Sequence, residues 1–66
     1  MEVHRWLEPM EVERITGKKL QTLANERYRG TGIPYYKVGA SVRYKLADVI
    51  SFMEQYRVNL EARRAG

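Results

Sequence analysis

The sequence predicts a small α+β domain in which two short helices, a β-hairpin and a third helix follow one another along 66 residues. Three observations carry that expectation. Apolar residues recur with helical period at Leu20, Leu23, Ala24 and Tyr28, and again from Leu46 to Leu60. Between these stretches, Tyr35-Tyr36-Lys37-Val38 and Val42-Arg43-Tyr44-Lys45 flank Gly39-Ala40-Ser41, the spacing of a short hairpin. Gly17, Gly30, Gly32 and Pro34 punctuate the chain where one pattern gives way to the next.

The first helix is expected over Pro9 to Thr16, because proline suits the first helical turn, where its missing N–H would be unpaired anyway. Gly17 ends it. Met10, Val12 and Ile15, with Leu7 ahead of them, would form a small buried face and leave Glu11, Glu13 and Arg14 outside; Trp6 and Leu7 would cap the core. The second helix should run from about Lys19 to Tyr28 with Leu20, Leu23, Ala24 and Tyr28 inward. Lys18, Gln21, Thr22, Asn25 and Arg29 then share the outer face without a carboxylate among them. Two helices joined at a glycine form a helix-turn-helix pattern. In the hairpin, period 2 places Tyr36, Val38, Val42 and Tyr44 on one face and Tyr35, Lys37, Arg43 and Lys45 on the other. A third helix is expected from Leu46 to the region of Ala62, with Val49, Ile50, Met53, Tyr56 and Leu60 as its stripe and Asp48 in its first turn, where a carboxylate favours the helix dipole.

Size and composition narrow the function. A chain this short forms one domain, residues 1–66, with a core over about 6–60 and a frayed tail at 61–66. Hydrophobic residues at 44% and seven aromatics (one Trp, five Tyr, one Phe) are too many for a disordered segment, and without cysteine there is neither a disulfide framework nor a thiolate metal site. No apolar run of signal-peptide length follows Met1, and nowhere do 18 apolar residues stand together, so a cytoplasmic protein is expected, away from membranes. An enzyme is not expected. His4 stands alone near the terminus, Glu11 and Glu13 are two apart and would not face each other on a helix, and there is no Gly-rich phosphate loop or nucleophile motif. Neither a metal, a cofactor nor a small-molecule substrate is implied.

The net charge of +4 is unevenly placed. Residues 1–17 set Arg5 and Arg14 against Glu2, Glu8, Glu11 and Glu13, whereas residues 18–45 set Lys18, Lys19, Arg27, Arg29, Lys37, Arg43 and Lys45 against Glu26 alone. A basic segment with tyrosines among its charges suits a polyanion; a merely solvated face would read the same from charge.

The order of Thr22-Leu23-Ala24-Asn25, Arg29-Gly30-Thr31-Gly32, Pro34-Tyr35, Lys37-Val38-Gly39, Val42-Arg43-Tyr44 and Asp48-Val49 resembles the excisionase-type, MerR-like winged helix-turn-helix domains. Leu7, Pro9, Glu11 and Val12 match the start of that pattern, Phe52-Met53 stands where the family has a tryptophan and an aliphatic residue, and the likeness covers about residues 6 to 54. Glu8 replaces the usual Thr or Ser cap, Lys18 and Lys19 an aliphatic and a Ser cap, and Glu26 an aromatic. Leu20 and Tyr28 are expected to supply the packing lost at positions 18 and 26. The resemblance implies that the second helix enters the major groove and the hairpin, as a wing, reaches the adjoining backbone or minor groove. It further implies that several copies bend DNA to direct an integrase in excision of a prophage or mobile element.

Residue chemistry fits the DNA-binding part. Gln21 and Asn25 lie four apart on the exposed face, and an amide can pair bidentately with adenine; Thr22 can reach a phosphate or satisfy a local carbonyl. Lys18 and Lys19 stand where helix amides favour anions, so a phosphate would relieve the pairing. Arg29 projects from the helix end, while Arg27 is expected to lay its stem over the core. On the wing, Lys37, Arg43 and Lys45 are phosphate candidates beside Ser41 at the tip, where the lack of arginine argues against deep minor-groove insertion. Tyr36 and Tyr44 read as core. The aromatics are not interleaved along the sequence as in single-strand readers. Two rivals stay open: a small transcriptional regulator of the same fold, favoured less because 66 residues leave no room for a sensing domain, although the third helix could dimerise through Tyr56 and Leu60, and a protein-interaction adaptor whose third helix binds a partner while the basic face is merely solvated.

Overall fold

A computed structural model describes residues 5–60; the expected fraying of 61–66 and the reading of His4 lie outside the described residues. The elements follow in the order β1 (Trp6–Leu7), α1 (Pro9–Thr16), α2 (Leu20–Arg29), β2 (Tyr36–Val38), β3 (Ser41–Lys45) and α3 (Leu46–Glu54). The three strands form one antiparallel sheet in the order β1-β3-β2. The chain is therefore a small α+β domain.

Local chemistry sets the helix ends. Pro9 opens α1, and the Glu8 amide donates to Glu11 Oε1 at 3.0 Å, so a carboxylate three residues on satisfies a donor that the helix would leave unpaired. That bond, aided by the Arg5 guanidinium and opposed by desolvation, holds the Glu11 carboxyl below its ordinary value of 4.5. Thr16 Oγ1 donates to the Val12 carbonyl at 2.8 Å and accepts from the Lys18 amide at 3.1 Å, which fixes the turn around Gly17 and so the direction of α2. At the other end of α2 the Gly30 amide returns to the Arg27 carbonyl and the Thr31 amide to that of Glu26.

The core takes one fully buried side chain from most elements: Leu7 of β1, Val12 of α1, Leu23 of α2, Tyr44 of β3 and Val49 of α3, with Ile33 from the loop after α2. Val42, Leu46 and Phe52 pack against them. So few contacts leave each one important; truncating a buried leucine costs about 2–5 kcal/mol.

Four expectations are corrected. Met10 and Ile15 of α1 are exposed, leaving Val12 as the residue that this helix buries, while Ile33, between Gly32 and Pro34, is in the core. On α2, Leu20 is exposed and Tyr28 is 94% exposed, so neither replaces the packing expected at positions 18 and 26. Those two positions instead meet each other: Lys18 Nζ forms an ion pair with Glu26 Oε2, with both side chains largely covered, and the ammonium lies 4.8 Å from the Phe52 ring centre. With this pairing go an inward Leu23, in the core, and an Arg27 bonded to Tyr44, so Leu23, Glu26 and Arg27 form the face of α2 turned to the domain. Gly32 completes this arrangement. At φ 81° it runs against Glu26, and a Cβ there would collide with Glu26 Oε1, a buried oxygen without a hydrogen-bond partner among the described residues.

The third correction is to the hairpin. Val38 pairs with Ser41, so the loop is the two residues Gly39-Ala40, with Gly39 at φ 64° as the first central residue of a tight turn requires. A two-residue loop shifts the parity of β3 against β2 relative to a three-residue one, and a shift of one residue exchanges the faces. Tyr36 therefore lies opposite Arg43 and Lys37 opposite Val42. The fourth concerns α3, which ends at Glu54; the amides of Gln55, Tyr56 and Arg57 turn back three residues, and Tyr56, Val58 and Leu60 are exposed. The apolar period continues in the sequence, but beyond Phe52 no core remains to sustain the helix. Among the described residues, no helix is long and apolar enough to cross a membrane.

Candidate nucleic-acid interface

Helix α2 presents Gln21, Thr22, Asn25 and Arg29 to solvent, with Lys19 exposed at its N-cap. Gln21 Nε2 donates to Asn25 Oδ1 at 3.1 Å, so the two amides already stand side by side on one strip of the helix. Opening that exposed bond costs little and frees a donor and an acceptor together. Glu26, the only carboxylate of α2, is turned away from this strip into its pairing with Lys18. Of the expected contacts on this helix, Lys18 is the exception: its charge is neutralised by Glu26 and its ammonium lies over the Phe52 ring. Lys19, Gln21, Thr22, Asn25 and Arg29 are brought together as read from the sequence.

Arg27 has a structural role. Its Nη1 donates to the Tyr44 hydroxyl at 2.6 Å, giving the buried tyrosine its hydrogen-bond partner, and its guanidinium lies about 6 Å from the rings of Tyr35 and Tyr44. This bond ties α2 to β3, so the exposed strip and the hairpin are held by a common joint.

The hairpin divides its cations. Ser41, Arg43 and Lys45 lie on the outer face of the sheet with Tyr36 and Val38, and Lys37 lies on the other face, so the three cations expected together are not on one side. Arg43 Nη1 donates to the Val42 carbonyl at 2.8 Å. Trp6, paired with Lys45 in register, joins the same outer face. Its ring stands 4.9 Å from that of Tyr36 at an interplanar angle of 89°, and Lys45 Nζ is 5.6 Å and 5.5 Å from the two ring centres. Tyr44 is buried as expected, whereas Tyr36 is not in the core. The sequence concealed this cluster because Trp6 reaches Tyr36 only through β1, a strand of two residues. Two apolar residues, Trp6 and Leu7, carry no alternation in sequence that would have marked the strand.

The ion pairs of the described residues are Arg5 with Glu11 and Lys18 with Glu26, so Lys19, Arg29, Lys37, Arg43 and Lys45 enter into neither. Among the described residues no three His, Cys, Asp or Glu side chains gather as a metal site would need. Comparisons with protein-family models, with curated proteins and with solved structures find no match for this chain.

Proposed function

We propose that the domain is a winged helix-turn-helix that binds duplex DNA sequence-specifically, with α2 in the major groove and the β2–β3 hairpin on the adjoining backbone. One observation carries this reading: α2 exposes two adjacent amides between cations while its single carboxylate is withdrawn to the opposite side. An amide pair reads base edges, and Lys19 and Arg29 at the two ends of the helix fit the phosphates that flank a groove. Lys37 and Arg43 reach the backbone from opposite faces of the hairpin. The role in recombination, with several copies bending DNA for an integrase, rests on the resemblance to excisionases; the same contacts would serve a small transcriptional regulator.

The test is fluorescence anisotropy of the purified domain on a duplex enriched from a random library, beside scrambled duplex, over a salt series. Preference for the enriched duplex is expected, with a log–log salt slope of about −4 for about four phosphate contacts. Equal, weak binding to both duplexes would remove the reading and leave the basic segment a solubility feature.

A further inference from the structure

The outer face of the sheet carries a second kind of chemistry. Trp6 is 48% exposed and Tyr36 42% exposed, although each is large enough to dominate a core of this size. With Val38, Ser41 and Arg43 they line a groove of about 390 Å³, within the usual range of roughly 300–1,000 Å³ for ligand clefts. The Lys45 ammonium lies over both rings. The six residues that share this face include two cations and no carboxylate. The helices pack on the other side of the sheet, where Leu7, Val42 and Tyr44 point, so this groove looks away from the core.

We propose that this face binds single-stranded nucleic acid, stacking unpaired bases on Trp6 and Tyr36 while Arg43 and Lys45 hold the flanking phosphates. The perpendicular rings form a corner: a base laid on one ring stands perpendicular to the other, in the edge-to-face arrangement favoured between two π systems. Rings select bases because every base has a π face, and the cations supply the affinity for the backbone. A lysine above two rings gains from cation–π attraction while the site is empty, and a phosphate draws it off the rings as a base arrives. The proposal does not depend on the duplex reading, because Gln21 and Asn25 take no part in it.

Trp6 is the sole tryptophan, so its fluorescence reports stacking directly. The intact chain is titrated with a short oligothymidylate, with an abasic strand of equal length, and with an Asp/Glu-rich peptide. Saturable quenching by oligothymidylate alone is expected, with a shallow salt slope of about −1.4 for two phosphates on a single strand. Tyr36→Ala, at an exposed position, should weaken binding about 5- to 100-fold with unchanged circular dichroism, and Gln21→Ala with Asn25→Ala should leave it as it was. No quenching by oligothymidylate, equal quenching by the abasic strand, or quenching by the peptide alone would overturn the proposal. Retained affinity in Tyr36→Ala would overturn it as well.

Discussion

Helix α2 and the outer face of the sheet both expose cations without carboxylates, but different groups stand between the charges. On α2 these are the amides Gln21 and Asn25, held 3.1 Å apart, and on the sheet they are the rings of Trp6 and Tyr36, 4.9 Å apart. Amides form directional bonds and so distinguish the edges of paired bases; rings offer area and so accept any base whose face is free. The two surfaces also differ in what supports them. The α2 strip depends on the Lys18–Glu26 pair to turn its carboxylate inward, whereas the sheet face is set by backbone register alone. Net charge alone would not separate them.

The largest effect is expected where the helix surface is supported. Lys18→Ala leaves the largely covered Glu26 carboxylate without its partner, and should cost about 2–3 kcal/mol in urea unfolding, less than a fully buried pair because both groups keep some solvent. The double variant Lys18→Leu, Glu26→Phe restores the aliphatic and aromatic residues of the resembled family, and should regain that loss and add about 1 kcal/mol beyond the parent. A double variant less stable than either single one would show that the ion pair, not its shape, is what the fold uses. Gly32→Ala should cost about 2 kcal/mol, since it forces a side chain to φ 81° and into Glu26.

Smaller effects separate the two surfaces. Asn25→Ala should lose about 1–3 kcal/mol of discrimination between the enriched and scrambled duplexes, and leave oligothymidylate binding intact. Charge reversal at Lys37 and Arg43 together should weaken both activities, because Arg43 belongs to the hairpin and to the groove. If that double reversal preserves biological activity while Leu60→Asp abolishes it without unfolding, a protein-interaction role through the exposed C-terminal segment would replace the DNA reading. Tyr44→Phe removes the acceptor of Arg27 and should cost about 1 kcal/mol, loosening α2 against β3.

The smallest effect is in acid. The carboxyl of Glu11 is held below its ordinary value, chiefly by the Glu8 amide, so it binds protons less readily folded than unfolded. Its contribution is present above the unfolded value and fades as pH falls through the lower folded one. Glu11→Gln should therefore flatten the stability profile below about pH 4.5, measured by thermal melts, and have its largest relative cost near neutrality. An unchanged acid profile would place the cap bond elsewhere.

The sequence disclosed the elements better than their faces. Pro9 and Gly17 marked α1 to the residue, and the periodicity around Leu23 and Val49 located α2 and α3. The strip of Lys19, Gln21, Thr22, Asn25 and Arg29 was legible because helical spacing alone places those residues together. Faces failed where a long-range partner decides them. Leu20 and Tyr28 fit the period of α2 as well as Leu23, and it is the contacts of the opposite face, Lys18 with Glu26 and Arg27 with Tyr44, that go with their outward position. The hairpin faces turned on whether the loop holds two residues or three, a choice the string Gly39-Ala40-Ser41 leaves open. The ring cluster was hidden for the same reason: its members come together through strand pairing, not through spacing along the chain.

The most direct test of duplex recognition by α2 is the change in backbone amide NMR shifts when an enriched duplex is added to the labelled domain. Shifts concentrated on residues 19–29, with a second set in the hairpin, are the expected result. Shifts confined to residues 55–60, or none at all, would contradict it.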